Sequence, residues 1–279
     1  MKSKTASKPR LPRLASAESW EKEWERHWRH KGRTDYELPR GGDADRRFLT
    51  EVRSPAKERE RLARMSGEFE NAFERLFKTG PAVTVFGSAR FKPEHPWYQL
   101  AREVGAELAA AGFATLTGGG PGIMEAANRG AYETGGTSLG LNIILPQEQQ
   151  PNPYVNESIE FNYFFTRKVC LVKYSCAFIV LPGGLGTLDE LFEAMTLVQC
   201  GKIGPFPVIL VGKEFWKGLR EWSQTMMKAG VFTRDEIRFG HVTDSPREAV
   251  DLIIRSLPPE IKKLRFGTRF RKKPGRSPR

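Results

Sequence analysis

The groups best suited to chemistry in this sequence are one carboxylate and one pair of cations, on either side of a glycine-rich turn. Arg167-Lys168 precedes the turn Pro182-Gly183-Gly184, and Glu190 follows it. The apolar run Ala177 to Leu181 predicts a buried strand before the turn, and a helical pattern begins at Thr187. A helix N-terminus carries unpaired backbone N–H groups and roughly half a positive charge, so it favours an anion. The sequence therefore predicts a phosphate-binding turn with a carboxylate one turn into the helix.

The predicted phosphate-binding turn is rich in glycine. Gly183, Gly184 and Gly186 carry no Cβ, which lets an anion approach the main chain closely. The segment lacks the Lys of a P-loop, and its spacing is not G-x-x-x-x-G-K-[ST], which excludes a P-loop NTPase. The turn is therefore a simple phosphate cradle, with Glu190 as the nearest carboxylate.

The charged groups each admit a second interpretation. Arg167 could clamp a phosphate or a carboxylate in bidentate fashion, or it could lie with Lys168 on the solvent face of a helix. Thr187 and Glu190 form a capping-box pattern, in which Glu190 would accept the N–H of Thr187 and stabilise the helix by about 0.5–2 kcal/mol. Glu193, one turn further along, is either a second carboxylate of the site or a solvated surface group. The sequence leaves these alternatives open.

Two further glycine turns follow predicted strands. Gly118-Gly119-Gly120-Pro121-Gly122 ends one strand and opens a helix, and Gly87-Ser88 ends another. The first turn departs from G-x-G-x-x-G at Ile123, and no acidic residue closes the next strand, so NAD binding is disfavoured. A mononucleotide with one phosphate and one ribose fits two short glycine loops better. The carboxyl ends of parallel strands share one edge of a sheet, so we expect the three turns to meet at one cleft.

Strands and helices alternate through the middle of the chain. The predicted strands are 83–86, 113–117, 139–144, 177–181 and 208–211, and the predicted helices lie near 97–111, 122–134, 163–174, 187–200 and 214–229. This alternation predicts an α/β fold, a Rossmann-like doubly wound parallel sheet. We assign the nucleotide-binding catalytic domain to residues 81–256. A basic extension with two helices, residues 1–80, precedes it, and a basic disordered tail, residues 257–279, follows.

The two helices of the extension have different patterns. One runs from Ser16 to about Lys31 and carries Trp20, Trp24 and Trp28 on one face. This face packs on the protein's own body or across a dimer, or alternatively docks on a membrane surface or a partner. Residues 33–53 are expected to form a loose linker. The second helix begins at Ser54-Pro55, has apolar residues at helical spacing and is expected to cover the α/β body.

Composition limits the class of protein. The net charge is +12, from 45 Lys and Arg against 33 Asp and Glu, but the basic excess lies at the two ends and the central domain is slightly acidic. The basic tail could contact a polyanion without sequence specificity, although a solvated disordered end is the simpler interpretation. Three cysteines without C-x-x-C spacing and four scattered histidines indicate neither disulfides nor a metal site. With no export signal and no apolar run as long as a membrane span, we expect a cytoplasmic protein.

The three motifs together resemble a known family. Gly118 to Glu125, Arg167-Lys168 and Pro182 to Glu190, in this order and spacing, are similar to those of the LOG ("lonely guy") family. Its members are cytokinin riboside 5′-monophosphate phosphoribohydrolases, long mislabelled as lysine decarboxylases. The resemblance covers roughly residues 80–255, and the long termini match the longer bacterial members. It implies a Rossmann-like fold, a homodimer or higher homo-oligomer with sites near the subunit interface, and hydrolysis of the N-glycosidic bond of a nucleoside 5′-monophosphate. It implies no cofactor.

The resemblance also implies roles for individual residues. Arg167 and Glu190 match the family's catalytic pair. The substrate-binding residues expected for such a site are Ser88, Gly118, Gly119, Gly120, Met124, Lys168, Gly183, Gly184, Gly186, Thr187 and Glu193. The preferred base stays open between adenine, in AMP, and an N6-modified adenine. The decarboxylase label would need a lysine that forms a Schiff base with pyridoxal phosphate, and the sequence nominates none.

A mechanism follows from the same residues. Breaking the C1′–N9 bond develops an oxocarbenium ion on the ribose, which Glu190 would stabilise while it orients or deprotonates water. Arg167 would fix the ribose phosphate or neutralise developing charge, and the glycine turn would anchor the substrate away from the reacting bond. The alternative is a non-catalytic carrier that binds a nucleotide or molybdenum cofactor on the same fold. A pure binder has no need of the Arg167–Glu190 pair, so we favour the enzyme.

Overall fold

A computed structural model describes residues 44–50, 54–145, 150–204, 206–233 and 240–267 of the chain. The predicted helix that carries Trp20, Trp24 and Trp28 lies outside these residues, and so does the end of the predicted tail, residues 268–279.

Helices and strands alternate along the described chain. The helices are α1 (Ala44–Thr50), α2 (Pro55–Leu76), α3 (Pro96–Ala110), α4 (Ile123–Glu133), α5 (Phe164–Lys173), α6 (Leu185–Gln199), α7 (Lys213–Lys228), α8 (Pro246–Ser256) and α9 (Pro259–Gly267). The strands are β1 (Ala82–Phe86), β2 (Ala114–Thr117), β3 (Ser138–Ile143), β4 (Glu157–Phe161), β5 (Ser175–Val180), β6 (Val208–Val211) and β7 (Gly240–Thr243).

The strands of the described residues form one sheet, paired in parallel throughout, in the order β4-β3-β2-β1-β5-β6-β7. β1 pairs with β2 on one side and with β5 on the other, where Phe86 lies opposite Val180. The strand order therefore reverses between β1 and β5. This reversal is the topological switch point of a doubly wound sheet, beyond whose strand ends ligands bind. The predicted Rossmann-like α/β fold is confirmed.

Helices cover both faces of the sheet because strand side chains alternate between the faces. Val83 and Val85 of β1 belong to a buried cluster with α3, α4 and α8, and Ala82 and Phe86 belong to a second cluster with α2, α5, α6 and α7. Since β1 and β5 are buried on both faces, their sequences are nearly continuous apolar runs. Helices α5 and α6, which carry the predicted catalytic residues, pack on the same face.

The second helix of the extension forms as predicted. Ser54 caps α2, since its hydroxyl accepts the backbone N–H of Lys57 at 3.3 Å, and Pro55 is the first helical residue. Ala72 and Leu76 of α2 are buried in the cluster that α5 and α6 share. Helix α2 is thus part of the same packed layer as the helices of the candidate site.

Five elements differ from the sequence prediction, and helix α8 is one of them, because no helix was predicted over Pro246–Ser256. The edge strands β4 and β7 were not predicted, because Glu, Ser, Gly and His interrupt their apolar pattern. Helix α1 lies inside the segment 33–53, predicted as a loose linker, and its Phe48 packs on Tyr163 and Phe165. The disordered tail predicted for 257–279 is wrong at its start, because Pro259–Gly267 forms α9 and Ile261 packs against the core.

No helix among the described residues combines the length and the apolar composition needed to cross a membrane.

Candidate active site

The three predicted glycine turns contact one another at the switch point. The backbone N–H of Ser88, after β1, donates to the carbonyl of Pro182, after β5, at 3.0 Å. The carbonyl of Ser88 accepts the N–H of Ile123, the first residue of α4, also at 3.0 Å. The Ser88 hydroxyl accepts the backbone N–H of Arg90 at 3.1 Å. The prediction that the turns converge is confirmed, and the backbone of Ser88 is their common link.

A buried network of asparagines fixes the turn Gly118 to Gly122. The side-chain amide of Asn152 donates to the carbonyls of Gly119 and Gly120 at 3.1 and 3.2 Å and to Asn128 Oδ1 at 2.9 Å. Thr117 links Asn128 to the glycine turn, because its hydroxyl donates to Asn128 Oδ1 at 2.6 Å and accepts the N–H of Gly119 at 2.9 Å. These buried polar groups are all partnered, which makes such a network rigid.

Sequence reasoning missed these asparagines. Asn128 is fully buried on α4, between Ala127 and Gly130, and also donates to Ser138 Oγ at 2.8 Å. The sequence did contain one signal for Asn128, because a polar residue within the apolar face of a helix indicates a buried hydrogen-bonding role. Asn152 gave no such signal, because it lies in a loop where asparagine is common.

Helix α6 begins with the geometry of an anion site. Its first residue is Leu185, Gly184 is its N-cap, and no side chain caps this end in the described structure. The first intrahelical bond runs from the N–H of Leu188 to the carbonyl of Gly184, so the N–H groups of residues 185–187 precede the helical ladder. Gly184 and Gly186 face open space. These amides are available to an anion in the way the sequence predicts.

The capping-box interpretation of Thr187 and Glu190 is wrong. Because the helix begins at Leu185, Thr187 is already inside it and cannot be the N-cap. Thr187 is 5% exposed, and its side chain packs on the backbone of Gly183, where a Cβ would collide with it. Thr187 and Gly183 therefore shape the turn through close packing, and the Glu190 carboxylate is free for another partner.

That partner is Arg167. Nη1 of Arg167 lies 3.8 Å from Oε1 of Glu190, and the two side chains are 8% and 15% exposed. Nε of Arg167 donates to the carbonyl of Leu141 in β3 at 2.7 Å. The alternative in which Arg167 lies on the solvent face is therefore wrong. A buried cation held by a carbonyl and a carboxylate is the arrangement that burial requires.

Gly118 gives Arg167 its space. A Cβ at position 118 would collide with Nη2 of Arg167 and would lie 2.7 Å from Sδ of Met124. Gly118 and Met124 thus form the wall against which the guanidinium lies. Glycine is required at the next position, Gly119, for a different reason. Its φ is +70°, and a Cβ there would collide with the side chain of Asn142.

Burial gives Glu190 an unusual pKa. It raises the pKa of the carboxyl to about 7, and the positive charge of Arg167 opposes this rise without cancelling it. Asp189 and Glu193 raise the pKa further, while Lys168 lowers it. Burial also lowers the pKa of the Arg167 guanidinium, against the attraction of Glu190. A carboxyl that titrates near neutral pH is suited to general acid–base chemistry.

Lys168 and Glu193 form a separate ion-pair cluster on the outer side of Glu190. The ammonium of Lys168 lies 3.1 Å from Glu193 and 3.2 Å from Asp189, both on α6. Burial lowers the pKa of Lys168, but its bonds to Glu193 and Asp189 outweigh burial and raise it. In this structure the two predicted substrate-binding side chains contact each other, and they tie α5 to α6.

The arrangement combines three chemical parts at one strand edge. Free amides at 185–187 can hold an anion, Glu190 can exchange a proton, and Arg167 supplies a fixed positive charge beside it. Among the described residues, no group of His, Cys, Asp and Glu has the arrangement of a metal site. The fold and the site define a Rossmann-like α/β protein whose switch point joins a glycine turn with free backbone amides to a buried Arg–Glu pair.

Comparison with known sequences identifies the family. A family model described as "possible lysine decarboxylase" matches residues 124–253. A cytokinin riboside 5′-monophosphate phosphoribohydrolase of Mycobacterium tuberculosis is 33% identical over 157 residues, which cover 54% of this chain and 82% of that protein. The rice protein named cytokinin riboside 5′-monophosphate phosphoribohydrolase LOG is 29% identical over 188 residues, covering 66% and 74%. The chain belongs to the LOG family.

A solved structure agrees on the fold. A structural-genomics target named TM1055 matches with a TM-score of 0.50 and 28% identity, covering 63% of this chain and 99% of that one. A molybdenum cofactor carrier protein from Chlamydomonas reinhardtii reaches a TM-score of 0.47 and 24% identity, with 63% and 98% covered. The second likeness is too weak to bear on function.

Proposed function

We propose that this protein is a nucleoside 5′-monophosphate phosphoribohydrolase, which hydrolyses the N-glycosidic bond of AMP or N6-modified AMP. The observation that carries the proposal is the buried Arg167–Glu190 pair, 3.8 Å apart and one turn from an uncapped helix N-terminus. The names of the mycobacterial and rice relatives support the same activity. A carrier needs an anion site, but it does not need a carboxyl that titrates near neutral pH beside a buried cation.

The 5′-phosphate anchors the substrate. The amides at 185–187 and the positive end of the α6 dipole bind it, and the open space at Gly184 and Gly186 lets the phosphate oxygens approach the main chain. This contact is remote from the bond that breaks. Its binding energy therefore orients the ribose, with its anomeric carbon toward Glu190.

Glu190 and Arg167 then act on the ribose. As the C1′–N9 bond breaks, its electron pair leaves with the base and positive charge develops on the sugar. Ionised Glu190 stabilises this charge and accepts a proton from the water that forms the new C1′–O bond. The departing base takes up a proton, so the products are free base and ribose 5-phosphate. Arg167 keeps a fraction of Glu190 ionised at neutral pH, because its charge opposes the effect of burial.

We also propose that the enzyme works as a homodimer in the cytoplasm. Three large apolar side chains beside the site are exposed on one protomer: Leu185 (87%), Val169 (45%) and Phe164 (42%). Apolar groups this exposed next to a site are commonly covered by a partner. Light scattering of the purified chain tests the dimer, and a monomer at micromolar concentration would contradict it.

Product analysis tests the proposed function. Purified full-length protein is incubated with AMP or with N6-isopentenyladenosine 5′-monophosphate, and free base and ribose 5-phosphate are quantified by chromatography. Adenosine is the matched control, because it has the same bond without the anchoring phosphate. We expect AMP to give free base and ribose 5-phosphate in equal amounts. The kcat/KM for adenosine should be at least about 100-fold lower than that for AMP, and Glu190→Gln should release no base. Binding of monophosphates without any release would contradict the proposal and favour a carrier.

A further inference from the structure

The N-terminus of α5, the helix that carries Arg167 and Lys168, is capped by a side chain from another helix. Tyr163 is its N-cap residue and makes no side-chain cap bond. The N–H of Phe164, the first helical residue, donates instead to Oδ2 of Asp45 in α1, at 2.9 Å. A negative carboxylate at this end also complements the helix dipole. A helix of the N-terminal extension thus completes a helix of the candidate site.

A second carboxylate from the extension holds the same turn. Glu68 of α2 is only 8% exposed, and its Oε1 accepts both the backbone N–H and the side-chain amide of Asn162, at 2.8 and 3.0 Å. Its Oε2 accepts the hydroxyl of Thr166 at 2.5 Å. Burial of a carboxylate is costly unless it is hydrogen-bonded. These three bonds offset that cost and allow the Glu68 carboxylate to be buried against the start of α5.

We infer that Glu68 and Asp45 are positioning residues, which set the orientation of α5 so that Arg167 reaches Gly118 and Glu190. This inference rests on the proposed roles of Arg167 and Glu190. Thr166 immediately precedes Arg167 in the chain, and the bonded residues 162–166 make up the turn from which Arg167 extends. Helices α1 and α2 therefore act on the site through α5.

The site has little tolerance for a shift of α5. The guanidinium of Arg167 lies between the carbonyl of Leu141, the backbone of Gly118 and the Glu190 carboxylate, 2.7 Å from the first and 3.8 Å from the last. A small rotation of α5 changes all three contacts together. A misplacement of about 1 Å in a catalytic site can reduce a rate about 100-fold.

The pKa of Glu190 reports the position of Arg167. The charged groups that face Glu190 are Arg167 and Lys168 from α5 and Asp189 and Glu193 from its own helix. Glu68 is not among them, and the loss of its negative charge could by itself only lower the pKa of Glu190. A rise in the pKa of Glu190 in Glu68→Ala therefore comes through movement of α5.

The experiment compares Glu68→Ala with the control Arg75→Gln. Arg75 ties the same helix α2 to the sheet through Glu157 at 2.7 Å and the carbonyl of Ser158 at 2.8 Å, without contacting α5. The pKa of Glu190 is measured by NMR on protein labelled with ¹³C at the glutamate carboxyls, and its signal is identified by its loss in Glu190→Gln. Steady-state kinetics on AMP separates kcat from KM.

We expect Glu68→Ala to raise the pKa of Glu190 and to lower kcat at least tenfold with little change in KM, while Arg75→Gln changes neither. Glu68→Gln retains the acceptor for Asn162 and is expected to restore both values. Should Glu68→Ala not fold, Thr166→Val removes the bonds of the hydroxyl to Glu68 and to the carbonyl of Tyr163, and it is expected to shift the pKa in the same direction. Equal pKa values in Glu68→Ala, Thr166→Val and the control would overturn the inference. If the wild type releases no base, the proposed function fails, and the NMR titration still decides this inference.

Discussion

The difference in the free energy of unfolding between Glu190→Gln and the wild type should depend on pH and reveal the cost of burying the Glu190 carboxylate. The carboxyl has an ordinary pKa of 4.5 in the unfolded chain and about 7 in the folded protein, mainly because of burial. Between these values the folded state binds more protons than the unfolded state, so the free energy of unfolding falls as pH rises. The loss is absent well below pH 4.5 and complete above pH 7. Glutamine does not ionise, so the variant escapes this loss.

The size of the effect follows from the shift. A change from 4.5 to about 7 corresponds to roughly 3 kcal/mol at full ionisation, since one pKa unit is about 1.4 kcal/mol. Because part of the loss has already occurred at pH 5, the variant should gain about 2–3 kcal/mol over the wild type between pH 5 and pH 8. The attraction of Arg167 is contained in this figure, since it already acts on the folded pKa.

Urea unfolding followed by circular dichroism at pH 5, 6, 7 and 8 measures the effect. Glu133→Gln is the control, and its stability curve should stay parallel to that of the wild type over this pH range. Burial would raise the pKa of Glu133, but hydrogen bonds from Arg129 and Arg102 outweigh it and lower the pKa. The stability that Glu133 contributes is therefore present at neutral pH and lost as pH falls below its ordinary range. Parallel pH curves for Glu190→Gln and wild type, or a variant that becomes relatively weaker as pH rises, would refute the reasoning.

Three other predictions concern the same site. Gly118→Ala places a Cβ against Nη2 of Arg167, so base release from AMP should fall at least tenfold while the circular dichroism spectrum stays unchanged, and full activity would show that Arg167 has room to move. The kcat/KM for AMP should rise with pH to a plateau above about 7, because Glu190 acts ionised, and a flat profile from pH 5 to 8 would exclude it as the base. Asn128→Ala removes the acceptor of the Thr117 hydroxyl, one acceptor of Asn152 and the donor to Ser138, so it should lower the free energy of unfolding by about 2–4 kcal/mol in urea, whereas a loss under about 0.5 kcal/mol would show that the network contributes little.

The sequence predicted the parts of this fold that local patterns specify. Largely apolar runs identified β1, β2, β3, β5 and β6, because strands buried on both faces have few polar positions. The edge strands β4 and β7 escaped, since an edge strand tolerates polar residues and its pairing depends on distant neighbours. The meeting of the three glycine turns followed from topology alone, because parallel strands end at one edge.

The sequence nominated residues for the candidate site but could not give their contacts. The sequence could not decide between a capping box and an Arg167 partner for Glu190, because that choice depends on where α6 begins. The helix begins at Leu185, two residues before the predicted start, so Thr187 packs against Gly183 and does not cap the helix. Likewise the bonds of Glu68 to Asn162 and Thr166 join segments far apart in the chain, and nothing in either segment indicates the other.

The most direct test is a crystal structure of Glu190→Gln with AMP bound, since this variant should hold the substrate without consuming it. The account predicts phosphate oxygens within about 3 Å of the backbone nitrogens of residues 185–187, as ordinary hydrogen bonds require. It also predicts the anomeric carbon beside the side chain at position 190, with Arg167 on the far side. A phosphate bound elsewhere, or a ribose whose anomeric carbon faces away from position 190, would contradict it.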